Sequence, residues 1–335
     1  MTMSTYIYLD QNVLSYLRPR KLDEQSDQQL EKLYSALIDK GKGLNVVYSA
    51  THLDEIRQIN IPKYIDEHID LLCSLNALYI EPVTTQLNAK NPQIVWRDYL
   101  ENEAKNRVNG HNEGGNILDL LSRKFAGLEV GQDFDDLHCM WVENINKAVA
   151  EIKQMLEEGS PEQLASHQGQ QMKQMYEELK KQAEGLKTFS LCNIGNEQEL
   201  GPRSVRSHDD VIELDLENRE PHEVIPTIDE LFSAQNGEFK WENYFDDTVH
   251  NQIARCYTLM NWVGYHADDF TKVKKRGDRF KASTNDLMHV RNSAGASFLV
   301  SNDDAFLKKA RACYAHLNVS TSVLYVEEFV KTLNL

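Results

Sequence analysis

Acidic residues follow two apolar segments that lie near opposite ends of this 335-residue chain. The alternating run Tyr6 to Leu9 ends in Asp10, and the run Ala296 to Val300 is followed by the polar segment Ser301 to Asp304. Both apolar runs predict short buried strands. In open α/β sheets, ligands bind outside the carboxyl ends of the strands, so acids at such ends converge even when they are distant in sequence. A cluster of carboxylates at that edge predicts a site for a hard divalent cation.

Two further acids lie on predicted helices close to this edge. Glu55 belongs to a helix that Ser49 or Thr51 can cap, and Asp286 belongs to the helix that precedes the last apolar run. We expect direct ligation of Mg²⁺ or Mn²⁺ by Asp10, Asp286 and Asp303. Glu55 either completes this ligand set or positions the nucleophilic water. Such a site would activate a water and neutralise the charge of a phosphodiester.

Four other side chains have supporting or shared roles in this hypothesis. Asn12 and Ser301 could orient a carboxylate or bond a phosphate, and Asp304 could share the ligand position of Asp303. His289 lies one helical turn after Asp286 and could reach the same site. A hydrogen-bonded core histidine is the simpler interpretation of His289.

Each proposed acid also has an ordinary structural explanation. Asp10 and Asp303 stand where helices are predicted to begin, and aspartate is a favoured N-cap residue whose removal costs about 1 kcal/mol. Asp286 suits the first turn of a helix, where acids interact favourably with the helix dipole. Glu55 alone would be a surface residue. The metal-site interpretation rests on the recurrence of these acids together.

Charge is unevenly distributed along the chain. The formal net charge is −16, which disfavours non-specific binding to a polyanion. Basic residues nevertheless flank both acidic ends, and they indicate contact with a phosphate backbone or, more simply, a solvated face. The nucleic-acid-binding residues predicted in this way are Arg18, Arg20, Lys272, Lys274, Lys275, Arg276, Arg279 and Lys281.

Composition limits the class of protein. Apolar residues make up 41% of the chain, but no apolar run reaches the 18 or so residues that a membrane span requires. No signal segment is recognised, and the five cysteines show neither a disulfide framework nor zinc-ligand spacing. We therefore expect a cytoplasmic protein without a membrane partner.

Strand signals lie at the two ends of the chain, and helical periodicity dominates between them. Strands are predicted at Thr5 to Leu9, at Leu44 to Tyr48 and in the last apolar run. We expect residues 1–60 and 271–335 to form one discontinuous domain, with a mostly helical insertion or subdomain over 61–270. The predicted helices of this insertion are Pro62 to Leu78, Pro92 to Val108, Gly115 to Phe125, Phe134 to Glu158, Pro161 to Leu186 and Trp241 to Trp262, with a connector at Asn193 to Pro226.

Four segments together resemble the motifs of PIN-like ribonucleases, in the order of that family. The run Tyr6 to Leu14 resembles the opening strand with its Asp, and Ser49 to Ile56 resembles the second motif, a helix whose Glu reaches the site. Asn285 to His289 is similar to the third, acidic helix, and Phe298 to Phe306 to the strand that ends in Ser or Thr, any residue, Asp. The resemblance covers about the first 60 and the last 60 residues.

The resemblance implies an α/β fold with a PIN-like central parallel sheet built from both termini. It also implies a metal-dependent endoribonuclease that uses Mg²⁺ or Mn²⁺ to hydrolyse RNA. A toxin or defence effector, restrained or activated by a protein partner, and a homo-oligomer are further expectations. Two alternatives stay open: a phosphohydrolase of the haloacid dehalogenase type, which would use Asp10 as a nucleophile, and a catalytically inactive helical interaction protein.

Overall fold

The computed structural model describes most of the chain. The described residues are 4–19, 27–82, 85–108, 134–188, 205–235, 247–268 and 279–333. Over these ranges the chain forms a mixed α/β structure around one six-stranded sheet.

The sheet combines strands from the beginning and the end of the chain. Its strands are β1 (Thr5–Leu9), β2 (Leu44–Tyr48), β3 (Leu78–Ile80), β4 (Leu87–Asn88), β5 (Phe298–Ser301) and β6 (Ser322–Tyr325). They lie in the order β4-β3-β2-β1-β5-β6, and all neighbours pair in parallel except β3 and β4. The prediction of an α/β fold with a sheet built from both termini is therefore confirmed.

Strand β1 lies at the point where the order of the sheet reverses. From β1 the chain proceeds outward to β2 on one side, and much later it returns to place β5 on the other side. Leu9 pairs with Val300 in the register of β1 and β5, so both strands end at the same level. In an open α/β sheet, the crevice at such a switch point is where ligands bind.

Helices account for the larger part of the described residues. Around the first strands lie α1 (Gln11–Tyr16), α2 (Gln28–Ile38), α3 (Ala50–Arg57), α4 (Pro62–Ser74) and α5 (Pro92–Val108). In the middle of the chain lie α6 (Phe134–Glu158), α7 (Pro161–Ala165), α8 (His167–Thr188), α9 (Asp209–Ile212) and α10 (Pro221–Gln235). The remaining helices are α11 (Val249–Val263), α12 (Arg279–Ser293), α13 (Asp304–Leu317) and α14 (Val326–Thr332). Short 3-10 turns occupy Lys40–Lys42 and Leu216–Asn218.

Both faces of the sheet are buried against helices. Alternate residues of β1 point to opposite faces: Ile7 and Leu9 join the apolar core that includes α1, α2 and α4, whereas Tyr8 joins the core that includes α10, α11 and α13. Strand β5 divides in the same way between Val300 and Leu299. Burial on both faces is the usual environment of parallel strands.

Local capping signals fix the helices that border the switch point. Asp303 is the N-cap of α13, and its side chain accepts a hydrogen bond from the backbone N–H of Phe306. Thr248 caps the start of α11 in the same way, and Gly264 ends that helix in the left-handed conformation with φ of 97°. These boundaries set where the polar residues after each element can lie.

The predicted helical insertion is too long at both ends. Strands β3 and β4 belong to the sheet, although Leu78 had been assigned to a helix, because a three-residue strand gives too short a pattern to recognise. Helix α10 begins inside the predicted connector, and α10 and α11 pack in the core beside the sheet. By the density of its internal contacts, the chain divides into one unit of Met1–Lys105 with Pro202–Leu335 and another of Asn106–Gly201.

The second unit is helical over its described residues. Its described elements include the long helix α6, the short helix α7 and the helix α8. The sequence predicted one helix from Pro161 to Leu186, but the chain breaks at Ser166, which adopts an extended conformation. The predicted helix Gly115 to Phe125 lies outside the described residues. No helix in the described part of the chain is long and apolar enough to cross a membrane.

Candidate active site at the sheet switch point

Asp10 follows β1 directly and is held in place by the neighbouring strand. Its backbone N–H donates to the carbonyl of Val300 at 2.9 Å. Its Oδ2 accepts a hydrogen bond from the buried hydroxyl of Ser301 at 2.8 Å and a longer one from Asn12 Nδ2 at 3.4 Å. The structure therefore brings both predicted supporting residues, Ser301 and Asn12, onto the Asp10 carboxylate.

The Asp10 carboxyl is buried between groups of both charges. Burial raises its pKa, and the charge of Glu55 raises it further. The charge of His289 and the hydrogen bond from Ser301 act in the opposite direction without cancelling the rise. Asp10 thus shares one electrostatic neighbourhood with residues more than 40 and more than 270 positions away in sequence.

Glu55 lies on α3, and two side chains of α12 form hydrogen bonds with its carboxylate. Asn285 Nδ2 donates to its Oε1 at 3.1 Å, and His289 Nε2 contacts its Oε2 at 2.9 Å. Asn285 and His289 are four residues apart, so they share one face of α12. This double contact fixes the orientation of the Glu55 carboxylate.

His289 links Glu55 to the interior of the sheet. Its Nδ1 contacts the hydroxyl of Tyr8 at 2.8 Å, and that hydroxyl also contacts Ser49 Oγ at 2.8 Å. Burial alone would lower the pKa of His289, but the hydrogen bond and charge of Glu55, together with the charge of Asp10, outweigh burial and raise it. His289 is therefore both a buried histidine and a member of the acidic cluster.

A second histidine, His52, secures the end of β1. The backbone N–H of Ser49 donates to His52 Nδ1 at 3.1 Å, which leaves Nε2 to carry the proton that it donates to the carbonyl of Leu9 at 2.8 Å. Burial lowers the pKa of His52 far below its ordinary value. A neutral imidazole thus ties α3 to the residue immediately before Asp10. The sequence analysis missed this role, for which a histidine three residues after a helix cap was the available signal.

Asp286 lies on α12, one turn before His289, and its carboxyl is buried close to other acids. Burial raises its pKa well above the ordinary range, and the charges of Asp268 and Asp10 add to the rise. His289 and Lys309 oppose it only in part. Asp286 is therefore buried close enough to Asp268 and Asp10 for their charges to disfavour its ionisation.

Asp303 serves as a helix cap and also lies at the sheet edge. Its Oδ1 accepts the N–H of Phe306 at 2.9 Å, so the capping interpretation of its sequence position is correct. Its own N–H donates to Ser301 Oγ at 3.0 Å, so Ser301 bridges Asp10 and Asp303. The Asp303 side chain is exposed, in contrast to that of Asp10.

Asp304 points away from this cluster. Its carboxylate accepts a hydrogen bond from the hydroxyl of Tyr325 and pairs with Lys308 Nζ at 3.0 Å. These two contacts lower the pKa of Asp304, and its side chain is exposed. The prediction that Asp304 shares the ligand position of Asp303 has no geometric support, because the first turn of α13 directs the two side chains differently.

The predicted phosphate-contacting residues are only partly described. Arg18 is buried: its Nη1 pairs with Glu67 at 3.0 Å, its Nε donates to the carbonyl of Ser15, and its guanidinium lies over the ring of Tyr64. This arginine braces α1 against α4, which corrects its assignment as a surface contact. Lys281 is half-buried on α12, and Arg279 begins that helix. Arg20, Lys272, Lys274, Lys275 and Arg276 lie outside the described residues.

The sequence analysis did not identify Lys309, a buried lysine close to the acids. Lys309 on α13 is fully buried, and its Nζ donates to Asp268 Oδ1 at 2.9 Å and to Asn261 Oδ1 at 3.1 Å. The ammonium also lies 4.4 Å from the centre of the Tyr257 ring. A lysine on an otherwise apolar helical face was the available signal, but its partners are distant in sequence.

The donor chemistry of the cluster suits a hard divalent cation. Mg²⁺ and Mn²⁺ prefer carboxylate oxygens, and Mg²⁺ usually keeps several waters and takes one or two carboxylates plus substrate phosphate. The mutual repulsion of Asp10 and Asp286 is what such a cation would relieve. Among described residues, the buried hydroxyl of Tyr257 has no hydrogen-bond partner, and burial and the charge of Asp286 raise its pKa.

The protein groups alone do not form a complete metal cage. Within the described ranges, no three or more histidine, cysteine, aspartate or glutamate side chains are arranged so that they could hold a metal ion. The fit is therefore one of charge and donor type, with water and substrate needed to complete the coordination.

Comparison with known proteins adds no family assignment. No protein-family model, no curated protein and no solved structure matches this chain. Inference about function consequently depends on the residues and geometry described above.

Proposed function

We propose that this chain is a divalent-metal-dependent nuclease with a PIN-like fold, which hydrolyses phosphodiester bonds of RNA. The observation that carries the proposal is the junction of Asp10 and Ser301 at the switch point of the sheet, electrostatically coupled to Glu55 and Asp286. Four acid-bearing segments far apart in sequence thus contribute to one edge of the sheet. That edge is where an α/β fold binds its ligand.

The strand order supports the PIN-like part of the proposal. The parallel strands run in the order β3-β2-β1-β5-β6, with the first acid after β1 and the last after β5. The second and third acids come from α3 and α12, which contact each other through Glu55 and His289. These contacts support an arrangement in which the four motifs that resemble the family contribute to one edge of the sheet.

Each side chain has a distinct task in the proposed reaction. Asp10, Asp286 and Asp303 are the candidate oxygen ligands, of which one or two would bind the cation directly while water and substrate phosphate complete its coordination. The bound Mg²⁺ or Mn²⁺ would activate water and neutralise phosphate charge. Ser301 holds the Asp10 carboxylate in one orientation through its donated hydrogen bond.

Glu55 has both carboxylate oxygens oriented before any substrate arrives. Asn285 and His289 donate to opposite oxygens, so the carboxylate cannot rotate freely. Orientation of this kind lowers the cost of placing a water or ligand for reaction, because the side chain does not have to be ordered at that moment. Glu55 is therefore suited to positioning the attacking water.

The substrate assignment follows from charge and from the motif resemblance. A phosphodiester is anionic, and the acidic cluster would repel it unless a cation intervenes. The basic residues from Lys272 to Arg276 precede α12 in sequence, and Arg279 and Lys281 lie in its first turn, which puts positive charge close in the chain to Asp286. This arrangement favours a nucleic acid over a neutral substrate.

A cleavage assay with matched acid variants tests the proposal. Purified full-length protein is incubated with end-labelled RNA and either Mg²⁺ or Mn²⁺, with excess chelator in a parallel sample. We expect cleavage by the wild type and Asp304→Asn, and a loss of at least about 100-fold in Asp10→Asn and Asp286→Asn, since outer-shell changes alone cost 10–100-fold. Cleavage that survives in chelator or in Asp10→Asn would contradict the proposal.

The phosphohydrolase alternative gives different results in the same preparation. It requires Asp10 as a nucleophile and a lysine beside the phosphate, but the described buried lysine, Lys309, pairs with Asp268. Turnover of a phosphomonoester with an aspartyl-phosphate trapped on Asp10 would favour that alternative. Absence of both activities and of cation binding would favour the interaction-protein alternative.

A further inference from the structure

Four segments of the chain converge on the buried ammonium group of Lys309. Lys309 itself comes from α13, Asn261 from the end of α11, and Asp268 from the segment after α11. Asp268 Oδ2 then accepts a hydrogen bond from the hydroxyl of Ser283, which belongs to α12. A chain of charged hydrogen bonds thus runs from α13 to the N-terminal half of α12.

Asn261 makes further hydrogen bonds within this network. Asn261 Nδ2 donates to Asp268 Oδ2 at 3.2 Å and to Ser283 Oγ at 3.3 Å. The carbonyl of Asn261 accepts a hydrogen bond from Arg206, which holds the end of α11. Several hydrogen bonds shared among these side chains restrict them to one arrangement.

The network ends one helical turn before a predicted metal ligand. Ser283 and Asp286 are three residues apart on α12, so they lie on neighbouring positions of one helix face. The charge of Asp268 is the strongest electrostatic influence on the Asp286 carboxyl, and Lys309 opposes that influence. Asp286 therefore lies beside the ion pair, both along the helix and in its electric field.

We propose that the Asp268 and Lys309 ion pair, acting through Ser283, positions Asp286 for binding of the divalent cation. This inference rests on the proposed metal-dependent function. In it, Lys309 and Asp268 are positioning residues, because neither is assigned a contact with the cation or the substrate. The pair fixes the first turns of α12, and the acidic side chain follows that backbone.

A purely stabilising role explains the pair less well. Taking charges out of water is costly, and apolar replacements of a buried pair are often neutral or stabilising. An ion pair that served packing alone could sit anywhere in the core beside α13. This pair instead adjoins a repelling acid at the ligand-binding edge of the sheet.

The variants Ser283→Ala and Lys309→Met test the proposal in complementary ways. Ser283→Ala cuts the link between the ion pair and α12 without changing any charge. Lys309→Met removes the cation and leaves Asp268 unpaired. The control is Tyr314→Phe, because Tyr314 is buried and its hydroxyl contacts Ser293 and the carbonyl of Val290 at the opposite end of α12.

Mn²⁺ binding to the full-length protein, measured by calorimetry, is the readout besides RNA cleavage. We expect both Ser283→Ala and Lys309→Met to weaken Mn²⁺ binding about tenfold or more, the range known for groups that orient metal ligands. Tyr314→Phe should lower the thermal midpoint but keep wild-type affinity. A simple charge effect would instead make Lys309→Met bind Mn²⁺ more tightly, because the site becomes more negative.

The outcomes separate this inference from the proposed function. Wild-type affinity in Ser283→Ala, or tighter binding in Lys309→Met, overturns the positioning role even if the wild type binds Mn²⁺ and cleaves RNA. Equal weakening by Tyr314→Phe overturns it too, since any loosening of α12 would then suffice. If the wild type itself neither binds Mn²⁺ nor cleaves RNA, the metal site and this inference both fail.

Discussion

Replacement of Asp286 by asparagine should make the metal-free protein more stable while it abolishes activity. The wild-type carboxyl is buried beside Asp268 and Asp10, which raises its pKa well above the ordinary range. At neutral pH, ionisation of Asp286 is therefore less favourable in the folded state than in the unfolded chain, and this difference lowers the free energy of unfolding. Asparagine keeps the size of the side chain and removes the charge.

The magnitude follows from the link between pKa and stability. Each unit by which the folded-state pKa exceeds the unfolded value corresponds to about 1.4 kcal/mol at a pH above both values. One kcal/mol moves the thermal midpoint of a domain of 150–250 residues by about 2–4 °C. Each unit of rise would thus correspond to about 3–6 °C, and we expect Asp286→Asn to raise the midpoint at pH 7.5 in chelator.

The stabilisation expected for Asp286→Asn depends on pH. Because the folded-state pKa of Asp286 is raised, the wild type has no penalty below the unfolded value of about 3.9. The penalty grows as the pH rises towards the folded-state pKa. The difference between Asp286→Asn and wild type should accordingly vanish near pH 4 and reach its plateau at higher pH.

Thermal unfolding in chelator across this pH range provides the measurement, with Asp304→Asn as the matched control. Tyr325 and Lys308 lower the pKa of Asp304, so its amide variant should be equally or less stable than the wild type. Added Mn²⁺ should raise the midpoint of the wild type by mass action and leave Asp286→Asn unchanged. A midpoint of Asp286→Asn at or below that of the wild type near pH 7.5 would refute the electrostatic reasoning.

Two further predictions concern the residues around β5. Ser301→Ala removes the hydrogen-bond donor to the buried Asp10 carboxylate. The variant should be less stable by about 1–3 kcal/mol and should cleave RNA about 10–100-fold more slowly. Unfolding and initial-rate measurements check this, and an unchanged rate would show that Asp10 needs no fixed orientation. Asparagine is also a good N-cap residue, so Asp303→Asn should keep the stability of the protein, whereas Asp303→Ala should lower the free energy of unfolding by about 1 kcal/mol. Both variants should lose RNA cleavage. An active Asp303→Asn would show that this residue serves only as a helix cap.

At the acidic edge of the sheet, the charges that cation binding requires lower the stability of the fold. Stability would favour fewer charges at Asp10 and Asp286, since burial raises the pKa of both and repulsion by neighbouring acids adds to the rise at Asp286. Cation binding would require those charges at fixed positions. The hydrogen bonds from Ser301 to Asp10 and from His289 to Glu55 hold the carboxylates in place against that repulsion.

The elements with strong local signals could be predicted from the sequence. The alternating run of β1, the β-branched run of β2 and the capped helix α3 all lie where their patterns indicate. Strand β3 was missed because three residues carry almost no periodicity, and its place in the sheet comes from pairing with β2. Helix α10 was missed because Pro226 lies inside it and polar residues precede it.

The site could be predicted in part, because some of its residues also have strong local signals. Acids after strands are visible in sequence, and Asp10 and Asp303 lie at the carboxyl ends of β1 and β5. Burial of Arg18 against Glu67 was not visible, because a basic residue after a helix looks the same whether it faces water or a partner 49 positions away.

The sequence by itself determined which residues could carry charge and where the chain would be extended or helical, since those properties depend on side-chain chemistry and near neighbours. Only the tertiary structure decided that Glu55 meets His289 across 234 positions and that Lys309 lies buried against Asp268. Such contacts depend on the order in which strands join the sheet and on which helix faces then pack together. That order is set by burial of the whole core and not by any local pattern.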